Sequence, residues 1–235
     1  MSTAFSDEEI SAVKTRYPGL KRTGSGTVEG TLEMDAVYDG KPLKDSFQVR
    51  ITATNPNSSR VPALYEIGGR TEVIAEKLGL TDLRTLHRNK DGTVCVCVKQ
   101  IEKRKFPPSS DLFVFVEELA VPYLYGLVHY EHHRIWPWGD YSHGSMGLLE
   151  FYAEDTTPQT VEDIAEVLPS MRKDLNWKEY HKQLRKPSAE RSCLCGSGKP
   201  FRVCHKKAWQ GLLHLRSEML RLGLDFSSLF DGIKK

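Results

Sequence analysis

The chain opens on a helical period. Ser6-Asp7-Glu8-Glu9 has the form of a capping box, and Ile10, Val13 and Tyr17 supply a modest apolar face. This predicts a short helix over residues 7–16, ending before Pro18-Gly19. The period then drops to two. Val28, Leu32, Met34 and Ala36 fall on one face, with Thr27, Glu29, Thr31, Glu33 and Asp35 on the other. Asp39-Gly40 is a hairpin signal, and Phe47, Val49, Ile51 and Ala53 resume the alternation in a second strand. Residues 55–59 break it, and 61–67 can form a third. One or two helical turns over 71–78 end at Gly79, and Asp91-Gly92 turns the chain into a short fourth strand over 94–98.

Ser109-Ser110-Asp111 can cap a longer helix in which Leu112, Phe115, Val116, Leu119 and Tyr123 share a face, with a kink expected at Pro122. An aromatic, Gly-rich ordered loop follows over 134–144. Helices are predicted over 146–153, over 161–168 behind Thr160, and over 207–222 before Gly223. The polar, basic stretch from about 170 to 190 reads as a boundary. The pattern describes an α+β protein, an antiparallel four-stranded meander flanked by helices, followed by a small C-terminal element.

Charge narrows the function classes. Lys and Arg number 33 against 31 Asp and Glu, for a net charge of +2. That balance argues against a protein built to coat nucleic acid, although basic patches occur around 185–202 and 205–207. The acidic N-terminus has no apolar core of signal-peptide length. The longest apolar run, 112–128, is interrupted by Glu117, Glu118 and Pro122, so no membrane span is expected. Cys95/Cys97 and Cys193/Cys195 are too close for easy disulfides, and the fifth cysteine makes the count odd. A reducing cytoplasm is the simplest compartment.

The densest chemistry lies at 193–205, where Cys193, Cys195, Cys204 and His205 fall within thirteen residues. Three sulfurs and an imidazole complete a tetrahedral zinc site, and four protein ligands leave no position for a substrate water. A structural Zn2+ is the expected cofactor. Gly196-Ser197-Gly198-Lys199 is not a phosphate loop, because the first Gly is missing and Pro200 replaces the Ser or Thr. His129, His132 and His133 match no zincin spacing.

The second concentration is His87-Arg88-Asn89-Lys90-Asp91-Gly92-Thr93-Val94-Cys95. A helix, an antiparallel meander, a cysteine at the final strand and further helices resemble the ubiquitin-conjugating enzyme fold. That family carries His-Pro-Asn, then a turn with Gly, a small hydroxyl residue, an apolar residue and the catalytic Cys. Gly92-Thr93-Val94-Cys95 matches the ending, and His87 and Asn89 match the His and Asn. Arg88 replaces the Pro and the intervening turn is shorter. The run Trp136–Gly147 looks like a signature of bacterial relatives, and 193–205 matches the SEC-C zinc motif that ends some of them. The combination resembles the stand-alone conjugating enzymes of CBASS antiphage operons.

The resemblance implies catalysis by Cys95 through a thioester. Asn89 would be the oxyanion donor, His143 a base or pKa tuner, and His87 part of the same motif. The donor would be the C-terminus of a cGAS-like nucleotidyltransferase, and the acceptor a lysine on a target protein. It implies a conjugating domain over 1–170, a linker over 171–190, and a zinc element with a terminal helix over 191–235. Alternatives remain in the residues themselves. A buried strand cysteine is the plain reading of Cys95, and Cys97, on the same face of the expected strand, is a second candidate nucleophile. A non-catalytic zinc-containing adaptor for a protein or nucleic acid is the alternative function.

Overall fold

The computed structural model describes residues 4–54, 61–97, 102–139, 141–142, 144–155 and 157–224. The chain forms two compact units, divided after Gly139.

In the first unit, α1 (Asp7–Arg16) begins with the expected capping box. The Glu9 N–H donates to the Ser6 hydroxyl at 3.2 Å, and the Ser6 N–H donates back to the Glu9 carboxylate at 2.7 Å. Four strands follow, β1 (Leu20–Gly24), β2 (Thr27–Tyr38), β3 (Lys41–Thr52) and β4 (Ala63–Glu66). They form one antiparallel sheet in sequence order. The turn joining β2 to β3 has positive φ at both Asp39 (49°) and Gly40 (70°), as a tight two-residue hairpin requires. The pairs Val28↔Ile51 and Leu32↔Phe47 put four buried apolar side chains on one face.

The membership of the sheet differs from the sequence expectation. β1 carries a single buried residue, Leu20, ahead of Lys21, Arg22, Thr23 and Gly24, so no alternation announces it. The stretch expected as a fourth strand, 94–98, makes only an isolated bridge between Arg88 and Val94, and Val98 lies outside the described residues. The Val94 N–H touches β4 at one point, donating to the Leu64 carbonyl at 2.9 Å.

Glu66, at the end of β4, is buried. It accepts from the N–H groups of Gly68 (2.7 Å) and Thr71 (2.9 Å), at the start of α2 (Arg70–Leu78). The carboxylate does there what a capping side chain would do, and the helix dipole favours its charge. A 3-10 turn (Leu83–Leu86) and α3 (Glu102–Lys105) lead to α4 (Leu112–Phe115), capped by Asp111 through the Val114 N–H at 2.8 Å. A π-turn (Val116–Ala120) then joins α4 to α5 (Val121–His133). Pro122 has no N–H for the carbonyl four residues back, and the helix takes up the mismatch as an extra residue in the turn before it. By length and composition Leu112–His133 is apolar enough to cross a membrane, but 67% of its most apolar window is buried within the protein. Buried residues fall on every side of α5 from Tyr123 to Val128, the mark of a core helix.

The second unit contains α6 (Ser145–Glu154), α7 (Val161–Arg172), α8 (Trp177–Arg185), α9 (Phe201–Cys204) and α10 (Lys206–Arg221). α10 lies against α6 so closely that a Cβ on Gly211 would come within 1.6 Å of the Leu149 carbonyl oxygen. Glu218 ties α10 to the segment before α7, accepting from the Gln159 N–H at 2.9 Å and from Arg221 at 2.7 Å. The stretch expected as a linker, 171–190, holds α8, which buries Tyr180, Gln183 and Leu184. With only three of its nine residues buried, its composition is that of a solvated segment.

Candidate thiol site and candidate metal centre

Residues 87–95 form a small hairpin. His87 adopts the left-handed conformation (φ 54°) that ends the 3-10 turn, and its N–H donates to the Arg84 carbonyl at 2.9 Å. The Cys95 N–H donates to the His87 carbonyl at 2.7 Å, and the Asn89 N–H to the Thr93 carbonyl at 2.8 Å. The Gly92 N–H closes the turn onto the Asn89 carbonyl at 3.0 Å, with Gly92 at φ 84°. This is the pattern of a three-residue loop whose last position demands positive φ.

The hairpin therefore sets His87 and Cys95 opposite one another at its open end, while Asn89 sits beside the loop. The Asn89 side-chain amide donates to the Thr93 hydroxyl at 3.0 Å, and that hydroxyl donates to Asp91 at 2.6 Å. The bonds from the Thr93 hydroxyl and N–H hold the Asp91 carboxyl below its ordinary range. The open end is anchored on the core. The His87 ring meets Trp136 edge-on, with centroids 4.5 Å apart, and the Trp136 indole N–H donates to the Thr85 carbonyl at 3.3 Å. The Tyr123 hydroxyl donates to the Leu86 carbonyl at 3.1 Å. Trp136 entered the sequence reading only as part of a motif, and no pattern in the sequence announces its role beneath His87. Arg88 is ion-paired with Glu72. A shallow cleft of about 520 Å³ opens beside the loop, lined by Leu83, Arg84, Arg88, Asn89, Lys90 and Gly92, and Cys95 takes no part in its lining.

The two thiols here are not equivalent. Cys95 is exposed, and its thiol donates to the Cys97 carbonyl at 3.5 Å. Cys97 is half-buried against the core, and burial, reinforced by Cys95 and Glu102, pushes its thiol up to about 12. The expectation that both share one strand face is corrected: beyond the Arg88–Val94 bridge this stretch is not a strand, so its side chains need not alternate. His143 lies outside the described residues.

In the second unit, Cys193, Cys195, Cys204 and His205 converge. Their ligand atoms lie within 4.8 Å of one another. The backbone explains why. Ser192 and Pro200 form a bridge, and the Cys193 N–H donates to the Lys199 carbonyl at 2.7 Å. Gly196 (φ 82°) and Gly198 (φ 72°) turn the chain between them, and α9 delivers Cys204 and His205 to the same point. Phe201, fully buried, fixes α9.

The sulfurs of Cys195 and Cys204 are 3.6 Å apart, and Cys193 Sγ lies 3.2 Å from His205 Nδ1. A tetrahedral ion with metal–sulfur bonds of about 2.3 Å needs edges of about 3.5 to 3.8 Å, so the donor set fits a metal. Burial pushes the Cys193 thiol up to about 12, whereas hydrogen bonds from the Ser197 hydroxyl and N–H draw Cys195 down to about 6. The Ser197 hydroxyl also lies 3.0 Å from Cys204 Sγ. Among the described residues no other group of three or more His, Cys, Asp or Glu gathers in this way.

Comparison with protein-family models, with curated proteins and with solved structures finds no match to this chain.

Proposed function

We propose that this protein is a ubiquitin-conjugating-like acyl transferase whose Cys95 carries a protein C-terminus as a thioester. The observation that carries the reading is the contrast between an exposed Cys95, facing His87 across the hairpin, and a withdrawn Cys97. The α+β build, with an antiparallel meander preceding the cysteine, supports it.

In the first step the Cys95 thiolate attacks the donor's activated C-terminal carbonyl carbon. The S–C bond forms and the leaving group departs with its electron pair. In the second, the neutral amine of a target lysine attacks the thioester, the C–N bond forms, the S–C bond breaks, and the amine loses a proton. Asn89 and His87 are the proposed oxyanion and motif residues and His143 the proposed base; Asn89 would have to release Thr93 to serve. The sequence carries no ATP-binding motif, so the donor arrives already activated. A cGAS-like nucleotidyltransferase is the proposed donor, and bacterial antiviral defence in the cytoplasm the setting. Zn2+ is the proposed ion of the cysteine–histidine cluster, which it would staple without acting on substrate.

The test is intact-mass analysis of the protein from its native host, wild type beside Cys95→Ala. An adduct on the wild type alone, released by thiol reductant and matching a second protein's mass, is the expected result. An unchanged adduct on Cys95→Ala rejects Cys95. No adduct on either form moves the reading to a zinc-containing adaptor.

A further inference from the structure

The net charge of +2 conceals a strong separation. Residues 172–207 hold eleven Lys or Arg against three Asp or Glu, and the rest of the chain holds 22 against 28. All of this basic stretch belongs to the second unit. Its centre is α8, whose two faces are distinct. At 100° per residue, Tyr180, Gln183 and Leu184 span about 100° and are buried, while Trp177, Lys178, His181, Lys182 and Arg185 span about 140° on the other side. Trp177 and His181 stack on that outer side, with ring centroids 5.2 Å apart and planes 13° from parallel.

The cations beside them are largely uncommitted. Lys182 pairs with Glu179, but Lys178, Arg185 and Lys186 are exposed and have no acidic partner among the described residues. The metal hairpin adds to the same surface charge. Asn176, at the head of α8, donates to the Leu194 carbonyl at 2.9 Å, and Lys199 and Lys206 are also exposed without an acidic partner among the described residues.

We infer that the outer face of α8, with the adjoining hairpin, is a binding surface for single-stranded nucleic acid. Backbone phosphates would meet Lys178, Lys182, Arg185 and Lys186, and the flat Trp177–His181 pair would offer a surface to bases. An acidic peptide would use the cations but has no need of the stacked rings. Interleaved cations and aromatic planes are what a sequence-tolerant single-strand site requires. This inference does not depend on Cys95: its site lies in the other unit, and a Cys95→Ala protein should bind equally well.

The test is fluorescence anisotropy of labelled oligo(dT) and oligo(U), each of about 20 nucleotides, with the full-length, metal-loaded protein. Saturable binding is expected, weakening by about 50-fold between 50 and 200 mM salt if four phosphates are engaged. The combined Lys178→Gln, Lys182→Gln, Arg185→Gln and Lys186→Gln variant should bind at least about tenfold more weakly, with a flatter salt dependence. Trp177→Ala should weaken binding by about tenfold without changing the salt slope. Lys178→Arg with Lys182→Arg should bind as the wild type does, and circular dichroism should show each variant folded. The inference is overturned if the oligonucleotides fail to bind at 50 mM salt, or if the combined Gln variant matches the wild type. It is also overturned if poly-glutamate competes as well as unlabelled oligonucleotide, which would assign the face to an acidic protein.

Discussion

Cys95 and Cys97 are separated by one residue yet should behave as different reagents. At pH 7.5, site-resolved alkylation with iodoacetamide is expected to modify Cys95 at least about tenfold faster, because Cys97 is half-buried and its thiol is held up near 12. Equal rates would remove the structural reason for preferring Cys95. The spacing of the four metal-type ligands was legible because they are close in sequence and two glycines explain how the chain folds back between them. The difference between the two thiols was not, since it depends on packing that a motif does not encode. The same limit applies to Asn89: the sequence marks it as a candidate donor, whereas its engagement with Thr93 is a property of the folded loop. Glu218 offers a pH test. Arg221, with the Gln159 N–H, holds its carboxyl below the ordinary range. Its contribution to stability is therefore complete above the unfolded value of about 4.3 and is lost as pH falls through the lower folded value. Thermal melts between pH 2 and 7 should show this loss, and Glu218→Gln should flatten it.

At the level of elements, what could be read was what repeats. The alternation over 27–36, the capping box at Ser6 and the amphipathic pattern of α10 all survive in the fold. β1 escaped because it is held by pairing with β2, through Leu20↔Gly30 and its neighbours, and buries only one side chain. α8 escaped because its outward charges outnumber its three buried residues. The contact between α6 and α10 is equally hidden, since Gly211 alone permits it. A methyl group there would collide with the Leu149 carbonyl, and backbone cannot step aside as a side chain can. Gly211→Ala is expected to cost about 3 kcal/mol or more, measured by urea unfolding. A loss below about 1 kcal/mol would show that the helices can separate cheaply.

For the whole molecule, two compact units imply two responses to metal removal. A strong chelator should lower the melting temperature of the second unit, whose cysteine–histidine hairpin then loses its staple. The sheet of the first unit should melt unchanged. Native mass spectrometry of freshly purified protein should find one zinc ion per chain, and Cys204→Ser should lose it. Absence of bound metal in fresh material would refute the assignment. Total composition was the least informative scale, because +2 is the small difference between an acidic majority and one basic stretch.

The π-turn before Pro122 makes chain length, rather than side-chain identity, the sensitive variable at that point. Removing a single residue between Val116 and Ala120 would let the backbone relax to an ordinary helical period. It would also rotate everything after it by about 100° relative to α4. Tyr123 would then swing away from the Leu86 carbonyl that it supports. A deletion scan through this segment should therefore disturb the Cys95 hairpin, whereas conservative replacements at Glu117 or Glu118 should not.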